Sequence, residues 1–239
     1  MGLSKKKKKK KGNAFVRFIR FFLKCIFYGL LLSIVYILFC KWVNPPVTIT
    51  QLGSALSGHG LKRDYISYDN MGTNIKLAVL AGEDQLYPDH NGFDFKSIQK
   101  AMKHNQTKKS LRGASTISQQ VAKNVFLWQK GGWLRKGMEV YFTFMIEKIW
   151  GKQRILEMYL NVAEMGEGVF GVEAASQYYF RKHAKDLSAK EAAMIAACLP
   201  NPKVFTINPL SRRVSSRYPW IMRQMNNLKQ DPDFQKIIQ

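Results

Sequence analysis

Two neighbouring stretches decide the fold: MEVYFTFMIEKIW at residues 138–150 and RILEMYLNVA at residues 154–163. In both, apolar side chains recur at the spacing of an α-helix. The same spacing is found at residues 74–82, 116–127 and 188–199. Strand signals are few. The sequence therefore predicts a mainly α domain.

Local signals mark where these helices begin and end. Thr116 with Gln119, and Ser188 with Glu191, have the capping-box spacing of a helix start. The prolines of LPNP, residues 199–202, end the helix that begins at Ser188. Residues 104–112 have low hydrophobicity, which predicts a mobile loop. The glycine-rich segments 131–132 and 166–171 are expected to be turns.

The N-terminal region contains an uncharged apolar run. Residues 25–40, CIFYGLLLSIVYILFC, lie between Lys24 and Lys41, whose long side chains can reach a membrane surface. A buried core helix would show the same run, but the seven lysines at 5–11 favour a transmembrane helix. We therefore expect a basic cytoplasmic tail at 1–13, a membrane anchor at 14–44 and an extracytoplasmic domain at 45–239.

The charge distribution sets the expected orientation. Residues 1–45 carry eleven Lys or Arg and no acidic residue, and the remaining 27 basic and 16 acidic residues leave a domain charge of +11. Positive charge before the span predicts a cytoplasmic N-terminus and a single-pass membrane protein whose domain lies outside the cytoplasm. This placement counts against nucleic acid as the partner of the basic surface.

The three cysteines, Cys25, Cys40 and Cys198, all lie in apolar runs without metal-ligand spacing. They support neither a disulfide framework nor a zinc site. We expect all three to be buried.

The first candidate site follows the predicted helix at 74–82. Glu83 and Asp84 come directly after it, and His90 follows in EDQLYPDHNGFD. A carboxylate at the border between core and cleft can have its pKa tuned for acid or base catalysis. The alternative is an ordinary pair of acidic residues at a helix end.

A second set of polar residues lies in GASTISQQVAKN. Thr116, Gln120, Lys123 and Asn124, together with Gln119, share one side of the predicted helix, opposite Ile117, Val121 and Val125. Neutral donors beside one cation suit a sugar-phosphate ligand. A solvated helix face is the alternative.

The third set is Arg135, Lys136 and Glu139, which the helical spacings i+3 and i+4 bring together. A carboxylate among apolar neighbours needs pairing, and these cations supply it. A purely structural ion pair is possible. Two carboxylates with several cations outside a membrane instead suggest transfer at a phosphorylated carbon.

Four ordered motifs, EDQLYPDHNGFD, GASTISQQVAKN, RKGME and KQRILEMYLNVAEMGEGVFGVEAASQYYF, resemble those of the family 51 peptidoglycan glycosyltransferases. The resemblance covers about residues 70–205. Because the chain ends at 239, without room for a transpeptidase domain, it is most similar to the monofunctional members. The segments GAST, GVFGVEAA and LPNP resemble the Gram-negative type.

The resemblance implies a lysozyme-like helical fold with a small membrane-associated jaw lobe. It also implies polymerisation of lipid II into glycan strands with release of undecaprenyl pyrophosphate. Glu83 matches the general base on the acceptor 4-hydroxyl, and Glu139 matches the glutamate that assists at the pyrophosphate. Other matching positions shape the cleft or contact the substrate: Asp84, His90, Thr116, Gln120, Lys123, Asn124, Arg135 and Lys136. Lys152 and Asn161 match positions with a more structural role.

The expected partners are lipid II, the growing lipid-linked glycan, membrane lipids, and proteins of cell-wall synthesis or division. A divalent ion, Mg or Mn, is expected at the pyrophosphate, with no certain protein ligand and no organic cofactor. Nearby cations should keep Glu83 ionised. A lytic, glycan-cleaving enzyme and a non-enzymatic scaffold that binds anionic lipid are the alternative functions.

Overall fold

A computed structural model of the protein describes residues 14–107, 113–129 and 131–239. The chain divides into two compact units, Met1–Trp42 and Val43–Gln239. The predicted basic tail at 1–13 lies outside the described residues.

The first unit contains helix α1 (Ala14–Trp42), which ends two residues before the predicted end of the anchor. It is the one helix in the described ranges that is long and apolar enough to cross a membrane. Most of its side chains are exposed, including Cys25. The expectation that all three cysteines are buried is therefore wrong for Cys25, since the surface of a membrane anchor is apolar without being covered by protein.

The second unit is mainly α-helical, as predicted. Its first five helices are α2 (Ile49–Leu56), α3 (Thr73–Glu83), α4 (Phe95–Thr107), α5 (Ile117–Phe126) and α6 (Trp133–Ile149). The remaining ones are α7 (Lys152–Val162), α8 (Val172–Phe180), α9 (Ala189–Cys198), α10 (Arg212–Leu228) and α11 (Pro232–Ile238). Short 3-10 helices lie at Tyr68–Asn70, Tyr87–Asp89 and Ala184–Asp186.

Helix α3 lies at the centre of this unit. It packs against α9 and α10 and also contacts α11, so that every residue from Ile75 to Ala81 is buried. A helix covered on several sides must be apolar around most of its circumference, which explains the sequence IKLAVLA. Helix α5 packs against both α6 and α7. The two helices that carry the predicted site residues 83 and 120 therefore belong to the core.

The predicted caps are confirmed. Thr116 and Ser188 each form a full capping box with the glutamine or glutamate three residues later. Gln119 is consequently buried in its own cap, so the expectation that it shares an open polar face with Gln120 is wrong. The LPNP segment follows the end of α9 at Cys198, as expected.

Three short strands form a sheet that the sequence did not predict. Strand β3 (Val169–Phe170) pairs in parallel with β1 (Lys62–Arg63) and antiparallel with β2 (Glu164–Gly166). Residues 166–171, expected as turns, thus include strand residues. Strands of two or three residues are too short to show the alternation that identifies a strand in a sequence.

The predicted loop at 104–112 is also wrong in part. Residues 104–107 continue α4, and residues 108–112 lie outside the described residues. Only Ala101 of α4 is buried, so most of the helix surface faces outward and its sequence is polar for that reason.

Asn161 joins the end of α7 to the segment that follows β1. Its fully buried side chain accepts a hydrogen bond from the backbone N–H of Ile66 at 3.0 Å and donates one to the carbonyl of Ile66 at 2.9 Å. Without the Asn161 side chain, the N–H and the carbonyl of Ile66 would lose these hydrogen bonds. This agrees with the structural role expected for Asn161.

We expect Asn161→Ala to lower the free energy of unfolding by about 2–4 kcal/mol, because two backbone groups lose their hydrogen bonds inside the fold. Urea denaturation of the full chain in detergent, followed by circular dichroism, measures this. Asn70→Ala is the control, since Asn70 is exposed and bonds only locally to Ser67. Its expected effect is within about 0.5 kcal/mol. Equal effects of the two substitutions would contradict the assigned role.

Candidate active site

Glu83 is the last residue of α3, and its closest polar partner comes from α5. Gln120 Nε2 donates a hydrogen bond to Glu83 Oε2 at 2.9 Å. The other end of the same amide accepts a hydrogen bond from the hydroxyl of Tyr159 on α7 at 3.3 Å. The structure therefore brings together the first and second sets of predicted residues.

Burial dominates the electrostatics of Glu83. Loss of solvent raises the pKa of its carboxyl above the ordinary value, and Asp84 adds to this rise. The hydrogen bond from Gln120 and the charges of Arg217 and Lys123 oppose it. The direction is opposite to the one expected from the cations alone, because the apolar helix that carries Glu83 removes most of the water around it.

Asp84 connects the end of α3 to the start of α5. One carboxylate oxygen accepts the backbone N–H of Ile117 at 3.0 Å, and the other lies 2.9 Å from His90 Nε2. His90 Nδ1 accepts the N–H of Gly92 at 3.1 Å, so the ring donates to Asp84 through Nε2. Asp84 is buried and His90 is partly buried, which favours shaping of the cleft over direct contact with a ligand.

Thr116 closes the same loop from the other side. Its hydroxyl donates to the carbonyl of Gly92 at 2.7 Å and accepts the N–H of Gln119. Gly92 has φ +87°, and a Cβ there would meet Thr143 and Glu147 within 3 Å. Glycine is therefore required where the loop turns against α6.

Lys152 and Glu147 hold the loop that contains His90 and Gly92. The Lys152 ammonium donates to the carbonyl of His90 at 2.5 Å and pairs with Glu147 at 2.9 Å. Ser118 donates to the same Glu147 oxygen at 2.5 Å. These contacts agree with the structural role expected for Lys152.

Glu139 lies in the first half of α6 and is paired with both predicted cations. Arg135 Nη1 is 2.7 Å from one carboxylate oxygen, and Lys136 bonds the other. The Glu139 side chain is buried, while that of Lys136 is 42% exposed. The Glu139 carboxylate thus holds two cations in the first turn of α6.

The ammonium of Lys123 interacts electrostatically with both carboxylates, Glu83 and Glu139. Burial lowers the pKa of its ammonium, the neighbouring Arg135 and Lys136 lower it further, and both Glu139 and Glu83 raise it. Among the described residues, no carboxylate lies within ion-pair distance of its ammonium. Lys123 is therefore a cation with donors to spare.

An open cavity of about 280 Å³ borders this lysine. Its walls include Gln120, Lys123 and Asn124 of α5, together with Tyr159 of α7. Asn124 also accepts a hydrogen bond from Gln129 at 3.0 Å. The second set of predicted residues, Gln119 and Thr116 excepted, thus faces an open cleft as expected.

Three residues near the site were not predicted: Arg217, Tyr159 and Lys203. Arg217 of α10 donates to the carbonyl of Gly82 at 2.9 Å, and Lys203 lines the cavity beyond the LPNP segment. Arg217 precedes Pro219 within a helix, which weakens the helical signal of its sequence. Tyr159 lies in an apolar helix stripe and shows no separate signal.

The residues do not form a metal site of their own. In the described part of the chain, no group of three or more His, Cys, Asp or Glu side chains could hold an ion. Both oxygens of Glu139 are already used by cations. We therefore derive no catalytic step through a metal.

Comparison of the sequence with known proteins places this chain in a family. The Transglycosylase family model matches residues 49–226. Proteins named biosynthetic peptidoglycan transglycosylase are similar to this chain, and two of them illustrate the range of identity. The one from Mannheimia succiniciproducens is 54% identical over 69% of this chain and 68% of its own length. The one from Pseudomonas aeruginosa is 46% identical over 87% of this chain and 92% of its own length.

The match includes every predicted site residue, from Glu83 to Glu139, and the elements from α2 to most of α10. A similar protein from Yersinia pseudotuberculosis is 53% identical over 74% of this chain and 76% of its own length. Because the family model spans well over half of the sequence, the chain belongs to the transglycosylase family.

Proposed function

We propose that this protein polymerises lipid II into peptidoglycan glycan strands and releases undecaprenyl pyrophosphate. One observation carries the proposal: Lys123 and Gln120 line the same open cavity, and Gln120 donates a hydrogen bond to Glu83 at 2.9 Å, so a candidate base and a cation border one cleft. A base and an anion site side by side are what transfer from a pyrophosphate donor requires.

In the proposed reaction, Glu83 accepts the proton of the 4-hydroxyl of the incoming GlcNAc. The resulting oxygen forms a bond to C1 of the lipid-linked donor sugar, and the bond between C1 and the pyrophosphate oxygen breaks. The pyrophosphate leaves as an anion and needs no proton donor. A raised pKa makes the Glu83 carboxylate a stronger base than that of an exposed glutamate.

The cations have different parts in this proposal. Lys123, which has no ion-pair partner in the described ranges, contacts the leaving pyrophosphate directly. Arg135 and Lys136 are held by Glu139 and add positive potential to the same region. Both oxygens of Glu139 accept hydrogen bonds from these cations, so its proposed assistance consists of keeping the two cations in place.

A lytic, glycan-cleaving enzyme is the second candidate, and one observation favours it. Burial raises the pKa of Glu83, as required for the protonated acid of a glycoside hydrolase. Such a reaction has no use for Lys123 near the base or for the neighbouring cations Arg135 and Lys136, which favours transfer. An anionic-lipid scaffold would need the cations but not the partly buried Glu83 with its hydrogen bond from Gln120.

A divalent ion, Mg or Mn, stays a prediction. Since the described side chains offer it no ligand cluster, it would be held mainly by the oxygens of the substrate pyrophosphate. It would neutralise charge on the leaving group.

The proposed location is the inner membrane, with the N-terminus in the cytoplasm and the catalytic unit in the periplasm. The apolar α1 supports an anchor. Within the second unit, the apolar side chains of Phe95 and Met102 on α4 and of Trp133 and Leu134 on α6 are exposed by 59–92%. These exposed apolar side chains support the proposal of a membrane-associated jaw lobe. Lipid-linked substrates would then reach the cleft from the membrane, and proteins of cell-wall synthesis or division are proposed partners.

We expect Glu83→Gln to reduce polymerisation of lipid II by about 10²- to 10⁴-fold, because an amide cannot accept the proton. Glycan products separated by size measure this. The matched control is Glu167→Gln, since Glu167 is exposed and bonds His59. Wild-type rates in Glu83→Gln, or shortening of preformed glycan by the wild type, would contradict the proposal.

The pH dependence should follow from the same groups. Glu83 must be ionised and its pKa is raised, so activity should be lost on acidification at a pH above that of an ordinary glutamate. Lys123 must be charged and its pKa is lowered, so activity should fall at alkaline pH earlier than for an exposed lysine. A profile of kcat/KM against pH measures both limbs. A flat profile down to pH 4 would exclude Glu83 as the base.

We expect Lys123→Met to lower kcat/KM for lipid II by roughly 10- to 100-fold, the value of one charge-assisted hydrogen bond. Thermal stability should not fall, because methionine removes a partly buried charge that has no ion-pair partner among the described residues. Lys229→Met, at an exposed position after α10, is the control. Unchanged kinetics of Lys123→Met would move the phosphate site elsewhere.

A further inference from the structure

Tyr159 is a buried tyrosine at the contact between α7 and α5. It is 1% exposed, and its helix neighbours Leu156 and Leu160 are fully buried. A buried phenol hydroxyl normally has a hydrogen-bond partner. Among the described residues that partner is the side-chain oxygen of Gln120, at 3.3 Å. The hydroxyl is therefore directed at one atom of the catalytic cleft.

Gln120 has two chemically different ends, and both are occupied. Its Oε1 accepts from Tyr159, and its Nε2 donates to Glu83 Oε2 at 2.9 Å. A reversed amide would place an oxygen against the Glu83 carboxylate, where two acceptors repel. The orientation of this amide thus decides whether Gln120 stabilises the ionised form of Glu83 or opposes it.

We infer that Tyr159 is a positioning residue for the transfer reaction, because its hydroxyl fixes the Gln120 amide with Nε2 towards Glu83. The inference rests on the proposed function, in which Glu83 is the base. Among the described hydrogen bonds, none joins Tyr159 to Glu83, and by this proposal Tyr159 touches no reacting atom. It acts through Gln120, and its effect should appear in the ionisation of Glu83.

The chemistry of Tyr159 suits this role. Burial raises the pKa of its phenol well above the ordinary value, and the charges of Glu83 and Asp84 act in the same direction. The hydroxyl therefore stays protonated over the whole range in which the enzyme would work. It is a permanent donor, so the amide orientation does not change with pH.

Several other groups also act on the pKa of Glu83. Arg217 from α10 and Lys123 from α5 favour the ionised carboxylate, and the adjacent Asp84 disfavours it. None of these contacts depends on Tyr159 in the described hydrogen bonds. Removing the Tyr159 hydroxyl should weaken the Gln120 contribution and leave the charges in place.

The test is Tyr159→Phe in the full-length protein in detergent, with kcat/KM for lipid II measured against pH. We expect the acidic limb to move upward by about half to one pH unit, because the ionised form of Glu83 loses support. Tyr179→Phe is the matched control: Tyr179 is also buried, but its hydroxyl donates to the carbonyl of Met165 at 3.2 Å. Its acidic limb should coincide with that of the wild type.

A double-mutant cycle with Gln120→Leu separates positioning from general damage. Gln120→Leu alone should shift the acidic limb at least as far as Tyr159→Phe, and adding Tyr159→Phe to it should produce no further shift. A Tyr159→Phe effect that is equal at all pH values, or that persists in the Gln120→Leu background, would overturn the inference. An unshifted limb in Gln120→Leu would overturn it even if Tyr159→Phe failed to fold.

The outcomes also distinguish this inference from the proposed function. If Glu83→Gln polymerises at the wild-type rate, the base assignment fails and the inference fails with it. If Glu83→Gln is inactive and the limb of Tyr159→Phe coincides with that of the wild type, the base assignment stands and Tyr159 is a structural residue alone.

Discussion

The hydrogen bonds of the Asp84 carboxylate hold the site together. They join the end of α3 to the first N–H of α5 and to the ring of His90, so two helices distant in sequence start and end at one point. Glu83 precedes Asp84 directly, and Gln120 lies one helical turn beyond Ile117. The hydrogen bond between Asp84 and the backbone N–H of Ile117 therefore helps to fix the distance between Glu83 and Gln120.

The two carboxylates of the cleft are supported in opposite ways. Glu139 is paired with two cations on its own helix, which compensates its burial. Glu83 has one neutral donor and two more distant charges, and burial raises its pKa despite them. A fully paired carboxylate is a poor proton acceptor, whereas a partly supported one retains basicity. The different roles proposed for the two carboxylates rest on this difference in pairing.

Positive charge has separate roles in the two units of the chain. The lysine run before α1 predicts a cytoplasmic N-terminus for a membrane anchor. In the second unit, Lys123, Arg135 and Lys136 concentrate positive potential beside the cleft. Both fit a family member that acts on lipid-linked anionic substrates, and neither requires nucleic acid.

The sequence by itself determined what depends on neighbours within one or two helical turns. Helical periodicity, the caps at Thr116 and Ser188, and the cluster around Glu139 are of this kind, since helix geometry alone brings residues three and four apart together. Tertiary packing decided the rest. Gln120 reaches Glu83 across 37 residues of chain, and Arg217 reaches the end of α3 across 135. Such contacts, and the water that packing removes from around Glu83, depend on how helices assemble, which local pattern does not encode.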